Sequence, residues 1–122
     1  MSGFSLVYTS TRGTGTTLVR NAIIQGINFQ FNTGHGFYRT HNNPSGVVTN
    51  LHSTGLTPDI IEIEISHDIL AFLSTGGSLP QPNPSFTGPL ERNITVNSYQ
   101  IGYRVVQTKF NTISVSTYFL IP

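Results

Sequence analysis

The residues that place the most chemistry at close spacing are Gly34-His35-Gly36-Phe37-Tyr38-Arg39-Thr40-His41. This run holds two imidazoles, a guanidinium, a phenol and a hydroxyl, with glycines on both sides of His35. Glycine there allows close backbone approach to a ligand or a tight loop. Elsewhere ionisable groups are scarce, since 9% of the chain is charged against about 25% in an ordinary domain. Two histidines six positions apart suit acid–base work, because imidazole transfers protons near neutral pH. Read as a strand, the run sends Phe37 and Tyr38 to opposite faces and sets Thr40 beside Tyr38. The four histidines, His35, His41, His52 and His67, include no pair at helical i,i+4 spacing, and cysteine is absent. A zinc site is therefore not expected.

The carboxylates are clustered. Asp59, Glu62, Glu64 and Asp68 fall within ten residues, and Glu91 stands apart. On a strand, Glu62 and Glu64 form a solvated face opposite Ile61, Ile63 and Ile65. Glu91 ends a stretch rich in proline and glycine, where a loop meets a strand. That position suits a general base or an electrostatic stabiliser, and equally suits a loop charge beside Arg92. No nucleophile elbow or Walker loop is present, and Gly13-Thr14-Gly15 is only a fragment of a dinucleotide loop.

The elements that must position these groups follow from local pattern. Strands are expected at residues 4–9, 36–39, 59–66, 94–96, 99–108 and 112–121. A short helix is expected from Thr16 or Thr17 to a stop at Gly26, and a helical turn at 47–52. Residues 68–73 are ambiguous, and residues 74–89 can only be a loop. The sum is one α+β domain spanning 1–122, mostly antiparallel β with one or two short N-terminal helices.

Composition narrows the partners. Net charge is +1 with five arginines and one lysine, Lys109, and no basic run marks a nucleic-acid face, so nucleic acid is not an expected partner. No segment approaches the ~18 apolar residues of a membrane span. The first residues lack the pattern of a signal peptide.

In order along the chain, three blocks resemble the ADP-ribosyltransferase superfamily, especially small bacterial toxin domains of the cholera and pertussis type. They are Leu6-Val7-Tyr8-Thr9-Ser10-Thr11-Arg12 with the short helix after it, Gly36-Phe37-Tyr38-Arg39-Thr40-His41, and Pro89-Leu90-Glu91-Arg92-Asn93-Ile94-Thr95-Val96 with Tyr99-Gln100-Ile101-Gly102-Tyr103-Arg104-Val105-Val106. The resemblance implies a split two-sheet core and NAD as substrate. It implies cleavage at the nicotinamide–ribose bond and transfer of ADP-ribose to a macromolecular target, expected to be a protein. Arg12 would grip the pyrophosphate, Tyr38 would stack on nicotinamide, Thr40 would support the pocket, His35 would flank it, and Glu91 would stabilise the ribosyl cation. Two positions depart from the family pattern: Thr9 stands at the usual anchor, and Pro89 lies two before Glu91. The same resemblance implies secretion or delivery into a target cell, with a delivery or immunity partner. Three alternatives stay open: an NAD glycohydrolase on the same fold, a non-enzymatic β-rich binding or structural module, and a small ribonuclease using His35 and His41 as acid and base. Sparse positive charge weighs against the last, because RNA backbones attract cations.

Overall fold

A computed structural model describes residues 6–82, 86, 88–109 and 112–122. The first two positions of the strand expected at 4–9, and four positions of the expected loop, 83–85 and 87, lie outside these residues. Strand β1 (Val7–Arg12) is followed by a 3-10 turn (Gly15–Thr17), β2 (Val19–Ile24) and β3 (Ile27–Phe31). A four-residue helix, α1 (Thr33–Gly36), leads to a small ribbon of β4 (His41–Asn42) and β5 (Val48–Thr49). A 3-10 turn (Leu51–Thr54) then precedes the long helix α2 (Pro58–Ser74). Strands β6 (Leu90–Val96), β7 (Tyr99–Lys109) and β8 (Thr112–Leu120) close the chain.

The main sheet has six strands in the order β1-β2-β3-β8-β7-β6, and β4–β5 form a second sheet. Every pairing is antiparallel except β3 with β8. That parallel pair needs a long crossover, and the chain from α1 to β7 supplies it. The fold is thus α+β and mostly antiparallel, as the pattern of elements suggests.

Three local expectations are corrected. The helix expected at residues 16–26 is a β-hairpin. Gln25 and Gly26 both have positive φ, 52° and 77°, which is the two-residue turn that matches the twist of paired strands. Glycine at 26 therefore turns a hairpin instead of ending a helix. The strand expected at 36–39 is replaced by α1 and the residues after it. Asn32 caps this helix, its side chain accepting from the His35 amide at 3.4 Å.

The largest correction concerns residues 59–66. They form the first half of α2, the principal helix. Thr57 caps it by accepting from the Ile60 amide, Pro58 sits in its first turn, and Asp59 adds negative charge at its positive end. The alternating isoleucines carry a second period. Ile61, Ile65 and Ile69 lie one helical turn apart and are buried, whereas Ile63 is only partly covered. Glu62 shares the buried face, at 0% exposure, so it belongs to the interior and not to a solvated strand face.

Helix α2 covers one face of the sheet. Its isoleucines join Phe29, Phe31, Ile101, Val105, Ile113 and Val115 in the core. Within the residues described, no helix is long and apolar enough to cross a membrane.

Candidate functional site

Polar groups gather on both faces of the sheet. Beneath α2, the Glu62 carboxylate accepts hydrogen bonds from Tyr8 Oη (2.8 Å), Arg20 Nη2 (2.7 Å), Thr33 Oγ1 (2.7 Å) and Tyr118 Oη (2.6 Å). Arg20 also donates to Thr33 Oγ1 and to Asp59, and its guanidinium lies 4.0 Å over the Tyr8 ring. Burial pushes the Glu62 carboxyl above the usual range, against the pull of Arg20 and the three hydroxyls. Burial and the Glu62 charge hold the Tyr8 and Tyr118 phenols far above their ordinary value, so both stay protonated and donating. One turn and a half along α2, Asp68 accepts from Tyr103 Oη (2.6 Å) and from Arg92 Nε (2.8 Å). Burial opposes ionisation of Asp68, but the Arg92 and Tyr103 hydrogen bonds and the Arg92 charge outweigh it, leaving its carboxyl below the usual range.

The opposite face is built by alternation. Tyr103 points to α2, so its neighbours Gly102 and Arg104 face away. Glu91 is opposite Arg104, and Thr117 and Phe119 are opposite Arg104 and Gly102. A bulge makes this arrangement possible. Val115 pairs with Val105, but Thr117 pairs with Arg104, so Ser116 is one residue in excess. Were Ser116 paired in a regular ladder, Thr117 would share the face of Val115 and point toward α2. The bulge instead sends Thr117 outward and turns Tyr118 in to Glu62, the re-aiming that bulges produce.

His35 stands at this outward face, with Nδ1 3.0 Å from Thr117 Oγ1. The glycines around it meet the protein's own chain and not a ligand. A side chain on Gly34 would strike the backbone at Thr16 and Leu18, and one on Gly36 would lie 2.9 Å from the Tyr118 ring. The His41 ring centroid is 6.1 Å from that of His35 and 5.8 Å from that of Phe119. His41 Nε2 lies 3.0 Å from the Gly36 carbonyl oxygen. A carbonyl only accepts, so that nitrogen carries the hydrogen and Nδ1 is the uncommitted one. Burial lowers the His35 pKa from 6.5, and the charges of Arg39, His41 and Arg104 lower it further. His35 is thus a neutral base at neutral pH.

A cleft of about 180 Å³ opens beside these rings, lined by His41, Asn42, Asn43, Pro44, Glu91, Arg104 and Phe119. Arg104 Nε donates to Glu91 at 3.0 Å, with both side chains near half exposed (48% and 51%). Such an exposed pair leaves Arg104 available to an incoming anion.

The structure brings together some of the residues singled out in the sequence and separates others. His35, His41 and Glu91 surround Arg104. Tyr38 is 39% exposed and packs against Phe37 and His52, and Thr40 is exposed just before β4. Arg12 ends edge strand β1, while Glu91 lies on the opposite edge strand, β6. Five strand spacings separate these edges, roughly 24 Å at about 4.8 Å each. Sequence reasoning passed over Arg104, Thr117 and Phe119. The alternation of β7 gives a signal for Arg104, but the bulge hides the other two. Among the described residues, no cluster of three or more potential metal ligands is present. Comparison with protein-family profiles, with curated proteins and with solved structures found no match.

Proposed function

We propose that this protein is a ribonuclease that cleaves RNA by acid–base transfer between His35 and His41. The observation that carries the reading is the pairing of two imidazoles, with ring centroids 6.1 Å apart, one of which, His41, lines a cleft walled by Arg104. At that separation the rings meet edge to face, so a phosphodiester would lie across them and not between them. His35, held neutral by burial and by Arg39, His41 and Arg104, takes the proton from a ribose 2′-hydroxyl. The freed oxygen attacks phosphorus, and the P–O5′ bond breaks. Protonated His41 gives a proton to the departing 5′-oxygen from Nδ1. Arg104 turns from Glu91 to the phosphoryl oxygens, where charge accumulates in the transition state. The products are a 2′,3′-cyclic phosphate and a 5′-hydroxyl end.

The low net charge is no obstacle to this reading, because the cations are divided between the faces. Arg20 and Arg92 are bound to buried or partly buried carboxylates beneath α2, whereas Arg104, paired only with the half-exposed Glu91, and Arg39 act on His35. Incubation with single-stranded RNA and with DNA of the same sequence tests the proposal. RNA should yield cyclic phosphate ends by mass spectrometry, and DNA, which has no 2′-hydroxyl, should stay intact. Equal cleavage of both, or cleavage of neither, rejects it.

A second reading, NAD cleavage as an ADP-ribosyltransferase, is supported by the place of Glu91 on the cleft wall beside His41. It predicts nicotinamide release that disappears in Glu91→Gln. Arg12, at the far edge of the sheet, has no part in that cleft.

A further inference from the structure

The cleft beside His41 does not end at Phe119. It runs on into a wider depression of about 370 Å³ lined by Asn43, Pro44, Asn93, Phe119, Ile121 and Pro122, among others. Its make-up differs from that of the cleft. His41 and Arg104 drop out, Glu91 stays on the shared wall, and a ring, a branched chain and two prolines meet two side-chain amides.

The Phe119 ring lies flat for a specific reason. It sits over Gly102, whose missing side chain would come within 2.7 Å of the ring. The ring therefore reclines across the neighbouring strand, reaching toward Arg104 (5.2 Å) on one side and His41 (5.8 Å) on the other. The ring rests on the sheet with the Arg104 guanidinium over it, and it forms part of the groove wall. Asn43 adds direction. Its amide nitrogen donates to the Val47 carbonyl (2.8 Å) and to Thr49 Oγ1 (3.2 Å). The amide is thereby fixed, and Oδ1 is its uncommitted acceptor.

From this geometry we infer that the groove past Phe119 is the subsite for the nucleobase next to the scissile phosphate. The base stacks on Phe119, and an N–H on its edge donates to Asn43 Oδ1. The inference rests on the ribonuclease reading for the identity of its ligand. Its logic is that of single-strand recognition, in which an unpaired base is held by an aromatic face and read along its edge.

The test measures binding and cleavage separately. A short 2′-O-methyl RNA, which has no free nucleophile, is titrated intact and with one abasic residue placed at each position in turn. Wild-type protein should bind the intact strand about tenfold more tightly than its weakest abasic partner, the scale of one base–aromatic stack. Phe119→Leu should bring that ratio near one. Gly102→Ala, which lifts the ring without removing it, should lower the ratio part of the way, so the test does not depend on one variant that fails to fold. Equal binding of intact and abasic strands by wild type overturns the subsite, as does a ratio that survives in both variants. Cleavage of unmodified RNA is assayed in parallel. Cleavage without base discrimination leaves the ribonuclease reading standing and rejects the subsite. Discrimination without cleavage supports the subsite and rejects the catalytic reading.

Discussion

The two faces of the sheet use similar side chains to opposite ends. Beneath α2, Glu62 is fully buried, and each of its neighbours gives it a hydrogen bond. Among the described residues, no buried side-chain polar atom lacks a partner. On the other face, His35 is surrounded by like charge from Arg39, His41 and Arg104, and Glu91 is the acid that offsets it. A network with every valence filled holds a structure together. A cluster with surplus positive charge and an open imidazole nitrogen is suited to a transferable proton and an anion. The lesson is that in this chain the conspicuous acid is a fastener, and the proposed chemistry is placed on the quieter side.

The strongest way to break this contrast is Glu62→Leu. It removes the buried partner of Arg20, leaving the exposed Asp59, and leaves three hydroxyls without their acceptor; a broken buried pair costs about 3–5 kcal/mol. Urea unfolding should show that loss, and a change below about 1 kcal/mol would place Glu62 outside the framework. Next come His35→Ala and His41→Ala. Each should lower RNA cleavage by about 100-fold or more, while the unfolding midpoint stays near that of wild type. A large drop in stability in either variant would turn the histidines into framework too.

Acidification sharpens the same division. Asp68 has a lowered pKa, so its contribution to stability is complete above its ordinary value of 3.8 and is lost as pH falls through the folded value. His35 is also lowered, from 6.5, so its contribution is lost as pH falls below 6.5 toward its folded value. Cleavage should thus decline on the acid side below pH 6.5 while the fold persists, and Asp68→Asn should remove a component of acid unfolding that begins below 3.8. Simultaneous loss of activity and fold between those values would contradict the assignment. The smallest effect is expected at Glu91→Gln. Its pair with Arg104 is about half exposed, so stability should change by no more than about 1 kcal/mol.

Much of the fold is legible in the sequence, and the failures have physical causes. The three closing strands are visible because their β-branched and aromatic residues run on without competing signals. Residues 59–66 mislead because Ile61-Glu62-Ile63-Glu64-Ile65 satisfies two periods at once. The capping signal of Thr57-Pro58-Asp59 decides between them, and packing of Ile61, Ile65 and Ile69 completes the choice. Gly26 misleads because a helix stop and a hairpin turn both use positive φ. At the proposed site, residues 34–41 supply both histidines. Thr117, Phe119 and Arg104 are partners across the sheet, and pairing register is a property of strands brought together, invisible in any one of them.

The extra residue at Ser116 has a consequence beyond local bending. It is the phase shift that sends Thr117 to the histidines and Tyr118 to Glu62, so both faces depend on one count along β8. The substitutions above each disturb one face. Shortening the chain by one residue at Ser116 would remove the excess and restore a regular ladder, with Thr117 still outward and Tyr118 still turned to Glu62. Stability and cleavage should then both persist in that variant, measured by urea unfolding and RNA hydrolysis. In this protein, one residue without a partner across the ladder keeps two faces in phase.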